Sequence, residues 1–209
     1  MSQFFTIHPG NPNPRLIRQA AEVLRDGGIV VYPTDSCYAI GCHLDDKHAV
    51  TRIRQIRKLE EHHHLTLMCR DLSEISRYAQ VDNAQFRLLK NNTPGSYTFI
   101  LRATKEVPRR LQHPKRSTIG IRIPDHPVAL ALLEELGEPI TSSTLILPEH
   151  DEPLNDAEQI RDLLEKQVEL VIDGGAVGVD FTTVIDLTGD VPLLVRRGKG
   201  DVAPFGIED

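Results

Sequence analysis

The chain has 209 residues, of which 40% are hydrophobic and 26% charged, a balance that supports a packed core and argues against a disordered polymer. Its net charge of −6 excludes uniform attraction to nucleic acid, so any phosphate or RNA site must come from a local basic cluster. Three cysteines without a CxxC pair argue against a disulfide framework and for a reducing cytoplasm, and the sequence shows neither a secretory leader nor an apolar run of about 18 residues.

Phe4 to Ile7 is predicted as a short strand, broken by Pro9, Gly10 and Pro12. Asn13 offers an N-cap and Pro14 a first helical residue with its φ already set. Leu16, Ile17, Ala20, Val23 and Leu24 recur at helical spacing until Gly27-Gly28 ends the helix. Ile29 to Val31 is a β-branched run expected to form a central strand, with a polar loop from Tyr32 to Ser36 at its end. A second helix is expected from about Asp46 to Leu59 and a strand from Leu65 to Met68. Asp71 with Glu74, and Asp82 with Gln85, show capping-box spacing, so two more helices are expected, the latter ending near Lys90.

Strands at Tyr97 to Leu101 and Thr118 to Ile123 precede a helix that opens at His126-Pro127 and is capped by Gly137. Ile140 to Ser143 reads as a strand, Pro148 to Asp156 as a surface loop, and Asp156 to Leu164 as a helix. Leu170 to Ile172, Val184-Ile185 and Leu193 to Val195 are the last strands. Early alternation of strands and helices, then crowded strands, implies an α/β fold. The expected form is one domain over residues 1–209, a twisted open mixed sheet flanked by helices.

Hydroxyls and cations gather at the predicted strand ends. Tyr32 to Tyr38 places Thr34 and Ser36 just after a buried strand, where ligands bind in open α/β sheets. Arg57 follows Val50 and Ile53 on the apolar side of its helix, so it must leave past the sheet or meet an anion. Thr141 to Thr144, Thr182-Thr183 and Arg196 to Gly200 add further hydroxyls and cations, the ingredients of a phosphate cradle. Residues 102–116 hold Arg102, Lys105, Arg109, Arg110, Lys115 and Arg116 against the single acid Glu106. Consecutive His62, His63 and His64 cannot converge on one metal ion, so no metal site is assigned, although His64 is placed to touch a ligand.

In this order, Val31 to Asp35, Pro94-Gly95 with Thr98 to Leu101, Gly120 to Pro127, Pro139 to Ser143, Thr182 to Asp186 and Arg196 resemble the YrdC-like family, the domain of threonylcarbamoyl-AMP synthases. The resemblance covers about residues 13–200 and leans toward the YciO branch, which lacks an extra C-terminal domain. It implies a concave basic groove and two activities. One is binding of nucleotide or double-stranded RNA. The alternative is conversion of threonine, bicarbonate and ATP into threonylcarbamoyl-AMP and pyrophosphate, for modification of a tRNA adenosine. ATP with magnesium would then be a substrate, L-threonine a further ligand, and no cofactor tightly held.

By resemblance Thr34 holds the amino acid, while Thr118, Arg122, Ser142, Thr182, Thr183 and Arg196 line the nucleotide side. Tyr38, Lys58, His64 and Ser143 complete the expected binding set. Arg57 and Thr144 fall where synthases carry a Lys and a Ser that act on the triphosphate. Leu59 and Ile146 replace an Arg and an Asn of the same two motifs, so binding is expected to outlast efficient adenylate synthesis. Arg122 is expected to serve binding rather than stability.

Overall fold

The computed structural model describes residues 1–60 and 63–208, so His62 of the triple-histidine run lies outside the described residues. The core grows from strands buried on both faces, the arrangement an unbroken apolar run predicts. Val30 and Tyr32 enter one hydrophobic cluster and Ile29 and Val31 the other, following the two-residue period of a strand.

One mixed sheet collects strands from nearly the whole chain. Across it run β1 (Gln3–Thr6), β9 (Leu170–Asp173), β2 (Val30–Pro33), β3 (Tyr38–His43) and β8 (Ile140–Thr144). The order continues through β4 (Thr66–Met68), β7 (Thr118–Arg122), β6 (Tyr97–Ala103), β10 (Thr183–Asp186) and β11 (Leu193–Arg196), while β5 (Ala79–Gln80) pairs with β6 outside this path. Four neighbouring pairs are parallel: β1 with β9, β9 with β2, β4 with β7, and β6 with β10.

Helices α1 (Pro14–Arg25) and α5 (Pro127–Leu136) pack together on one side, burying Ile17, Ala20 and Leu24 with Val128, Leu132 and Leu133. Helices α2 (Lys47–Arg57), α3 (Leu72–Tyr78), α4 (Asn83–Asn92) and α6 (Ala157–Leu164) contribute to the other cluster. The expected caps form. Asn13 Oδ1 accepts from Arg15 N at 3.0 Å and Leu16 N at 3.3 Å, and Gly137 closes α5 at φ 74°. Asp82 and Gln85 form a complete capping box. At α3 only half of one forms: Asp71 accepts from Glu74 N, but the Glu74 carboxylate turns to Arg70.

Two parts of the sequence reading change. Strand β3 was not anticipated: the polar loop is a tight bend at Thr34–Cys37, after which the chain returns antiparallel to β2. The stretch from Pro148 to Asp156 is not wholly surface, because Leu154 is buried and its N–H donates to Leu145 O at 3.0 Å. Among the described residues no helix is long and apolar enough to cross a membrane.

Candidate functional site

The sheet pleat builds the site. Thr66 and Met68 on β4, Thr118, Gly120 and Arg122 on β7, and Ser142 and Thr144 on β8 alternate along their strands. So do Thr98 and Ile100 on β6 and Val184 and Asp186 on β10; every second residue therefore faces one cleft. Gly120 keeps its floor open, since a Cβ there would lie 3.2 Å from Thr98 Cγ2. The cleft encloses about 740 Å³, within the size range of small-molecule sites.

Its walls are strongly cationic. Arg57, Arg116, Arg122 and Arg196 share the lining with Asp186, the single carboxylate among its described residues. Partial burial, then the fields of Arg57 and Arg54, lowers the pKa of His63 below its usual value. Burial also lowers the Arg57 guanidinium, which is anchored rather than loose. Arg57 Nε donates to the Ile146 carbonyl at 2.9 Å and Nη1 to Ser143 Oγ at 2.5 Å.

Arg196 is fixed in the same manner. Its Nε and Nη2 donate to Thr182 O at 3.2 and 3.0 Å, Nη2 also reaches Thr182 Oγ1 at 3.1 Å, and the guanidinium stacks over Phe181 at 5.0 Å. The Thr182 hydroxyl bonds Thr98 Oγ1 at 2.8 Å, which ties β6 to this clamp. Planar guanidiniums held by carbonyls keep their orientation for a phosphate at little further entropic cost.

Arg122 is 5% exposed and forms an ion pair with Asp35, with Nη1 donating to Ser36 Oγ at 3.0 Å. Its Nε has no hydrogen-bond partner. Asp35 also accepts from Ser96 Oγ at 2.5 Å and Asp125 N at 3.0 Å, and Lys199 Nζ donates to its backbone carbonyl. Arg122 thus lines the cleft and also holds the 35–36 bend, while Asp35 in turn ties that bend to Ser96, Asp125 and Lys199, so Arg122 has structural contacts besides its place in the lining.

Ten of the thirteen expected site residues line the cleft: Thr34, Arg57, His64, Thr118, Arg122, Ser142, Ser143, Thr144, Thr182 and Arg196. Thr34 does so within its own turn, its Oγ1 donating to Cys37 O at 2.5 Å. Three others sit elsewhere. The Tyr38 hydroxyl donates to Gly175 O at 2.8 Å, and burial pushes its pKa to about 12. Thr183 Oγ1 donates to Gly200 O at 2.6 Å, holding the 198–200 turn. Lys58 is the left-handed cap of α2 at φ 48°.

Of the basic run only Arg116 enters the cleft; Arg102, Lys105, Arg109, Arg110 and Lys115 are exposed outside it, and Arg110 donates to Leu44 O. Sequence reasoning missed Phe181 and His113. Phe181 directly precedes Thr182, a signal that was available, whereas His113 reaches the cleft by stacking on His64 at 4.8 Å, which no local pattern announces.

The Sua5/YciO/YrdC family model, described as telomere recombination, matches residues 22–198. The chain belongs to the Sua5/YciO/YrdC family. It is 62% identical over 205 residues to YciO of Escherichia coli (strain K12), covering 98% of this chain and all of that one. The crystal structure of E. coli YciO superposes with a TM-score of 0.94 at 61% identity, over 98% of this chain and all of that one. More distantly, the chain is 30% identical over 188 residues to a threonylcarbamoyl-AMP synthase of Bacillus subtilis (strain 168). That match covers 89% of this chain but 54% of the synthase, so this chain spans about half of that protein's length. The P. abyssi Sua5 structure complexed with L-threonine matches with a TM-score of 0.87 at 27% identity, over 94% of this chain and 58% of that one.

Against the synthase motifs, Leu59 packs on the hydrophobic core and is absent from the cleft lining. Of the three polar groups nearby, Arg54 is turned to the carbonyls of Glu60 and His63, and Lys58 lies outside the lining. His64 alone of the three reaches the cleft. Ile146 contributes an apolar side chain to the lining while its carbonyl holds Arg57.

Proposed function

We propose that this protein binds a nucleotide, with the phosphate among Arg57, Arg196 and Arg116 and the nucleoside against the apolar floor of Ile100 and Val184. One observation carries this reading: among the described residues, four arginines and a single carboxylate line one cleft of about 740 Å³. Charge-assisted bonds from such groups to phosphate are about twice as strong as neutral ones. Calorimetry with ATP, ADP and AMP tests it; the absence of heat and of any thermal shift with all three ends it.

A threonylcarbamoyl-AMP synthase is the second reading, supported by the 30% identity to the Bacillus subtilis enzyme and by Thr34 in the cleft wall. Leu59 and Ile146 speak against a fast reaction, since one lost donor to developing charge costs on the order of 100-fold in rate. Incubation with threonine, bicarbonate, ATP and magnesium is expected to release pyrophosphate slowly or not at all. Release at the rate of the Bacillus subtilis synthase, measured alongside, makes synthesis the function.

Double-stranded RNA is a further ligand class that the charge placement supports, because Arg102, Lys105, Arg109 and Lys115 are exposed and Arg116 lines the cleft. Such binding reads backbone shape and weakens steeply with salt. Titration of a duplex at several salt concentrations checks it, and no binding at low salt excludes RNA.

A further inference from the structure

Nucleotide binding, if it occurs as proposed above, raises the question of how many phosphates the cleft takes. Its charge answers. Among the described lining residues Arg57, Arg116, Arg122 and Arg196 are opposed by Asp186, and Asp35 pairs with Arg122, which leaves a net of two positive charges on these groups. A phosphate monoester carries about 1.5 to 2 negative charges at neutral pH, so a monophosphate neutralises the site. A triphosphate brings roughly two more, and charge carried into a cleft without a partner is costly.

A divalent cation is the usual remedy, and it leans on one or two carboxylates besides the phosphates. Among the described residues Asp186 is the single carboxylate of the lining, and its Oδ1 already accepts from Thr188 N at 2.8 Å and Thr188 Oγ1 at 2.6 Å. Among the described residues no group of three His, Cys, Asp or Glu side chains is placed to hold a metal ion.

The hydrogen bonds point the same way. Two Arg57 nitrogens and two Arg196 nitrogens are already engaged with protein oxygens, so each guanidinium offers only its remaining N–H groups. Arg122, 6% exposed along its side chain, adds a buried Nε that lacks an acceptor. Beside Arg57 the lining includes the apolar side chain of Ile146, which offers a longer phosphate chain no donor.

We infer that the cleft selects a nucleoside monophosphate over the corresponding triphosphate and takes it without a divalent cation. This deepens the nucleotide-binding reading and rests on it. The test is calorimetry on the full chain with AMP, ADP, ATP and inorganic phosphate, each in chelator and in magnesium. The expected result is AMP at least about tenfold tighter than ATP in chelator, with AMP changed less than about twofold by magnesium and ATP still weaker in its presence. AMP is also tighter than inorganic phosphate, because the nucleoside uses the apolar floor. ATP binding more tightly than AMP in magnesium overturns the inference while leaving nucleotide binding intact. Silence of all three nucleotides overturns both, and equal affinity for AMP and inorganic phosphate reduces the site to a simple anion hole and overturns the nucleoside part.

Discussion

Arg57 and Ile146 are joined across the rim of the cleft: the guanidinium Nε donates to the isoleucine carbonyl at 2.9 Å, and Nη1 donates to Ser143 Oγ at 2.5 Å. The end of α2 is thereby fastened to the chain leaving β8, and the remaining N–H groups are presented to the cleft. A charge-assisted hydrogen bond contributes about 1.5–3 kcal/mol, so Arg57→Ala is expected to weaken nucleotide binding by about 10- to 150-fold. Arg57→Lys restores charge but not the fork and recovers part of that loss. Titration calorimetry decides; unchanged affinity in Arg57→Ala removes Arg57 from the ligand's contacts.

The Arg122–Asp35 pair makes a prediction about stability. Burial raises the Asp35 pKa, but the Arg122 charge, Ser96 and backbone N–H groups more than reverse it, and the net shift is downward. A carboxyl with a depressed folded-state pKa stabilises fully above its unfolded value, about pH 4, and loses that contribution as pH falls through the depressed value. Unfolding followed from pH 7 to pH 2 therefore shows an acid limb below about pH 4 in the wild type. Arg122→Ala leaves the Asp35 carboxylate mostly buried without its cation, and breaking such pairs costs about 3–5 kcal/mol. A variant of wild-type stability means that the pair is not formed in solution.

Much of the fold was legible because its signals are local. The Asn13-Pro14 start of α1, the Asp82 and Gln85 box, and the His126 to Gly137 frame of α5 each name their own boundary. Strand β3 was not legible: Tyr38 to Cys42 is buried on both faces, shows no alternation, and follows the bend with no second turn signal. The site was legible as a set of strand ends, since residue types reveal which hydroxyls and cations exist. They do not reveal which hydroxyls are already bonded inside. Thr183 looks like Thr182 in sequence, but its hydroxyl turns to Gly200 away from the cleft, whereas that of Thr182 bonds Thr98 and Arg196 in the lining; the Tyr38 hydroxyl likewise turns to Gly175. Asp35 as the partner of Arg122 required contacts 87 residues apart.

Lys58 provides a test of that separation between ligand-binding and structural roles. It closes α2 in the left-handed region at φ 48°, donating its N–H to Gln55 O, and its side chain is exposed outside the cleft. A left-handed non-glycine residue costs roughly 1–2 kcal/mol, part of which glycine returns as greater freedom in the unfolded chain. Lys58→Gly is therefore expected to raise stability by about 0.5–1 kcal/mol in denaturant titration and to leave AMP affinity unchanged. A substantial loss of affinity would return Lys58 to the ligand's contacts.

Gly198 tests the Arg196 clamp without replacing Arg196 or Thr182. Its N–H donates to Thr183 Oγ1 at 3.0 Å, and a Cβ there would press on Phe181 O and lie 2.5 Å from Thr182 C and O. These are backbone atoms that cannot swing aside, and one of them is the carbonyl that orients Arg196. Gly198→Ala must push the 181–182 backbone away from β11, with an overpacking cost of about 1–3 kcal/mol. Because that shift also unseats Arg196, nucleotide affinity is expected to fall about tenfold or more, the loss of one charge-assisted bond. Gly189→Ala serves as the control, since the nearest heavy atom to its added methyl is 3.8 Å away. Equal affinity in the two variants would mean that the close approach of Gly198 to Thr182 plays no part in holding the guanidinium.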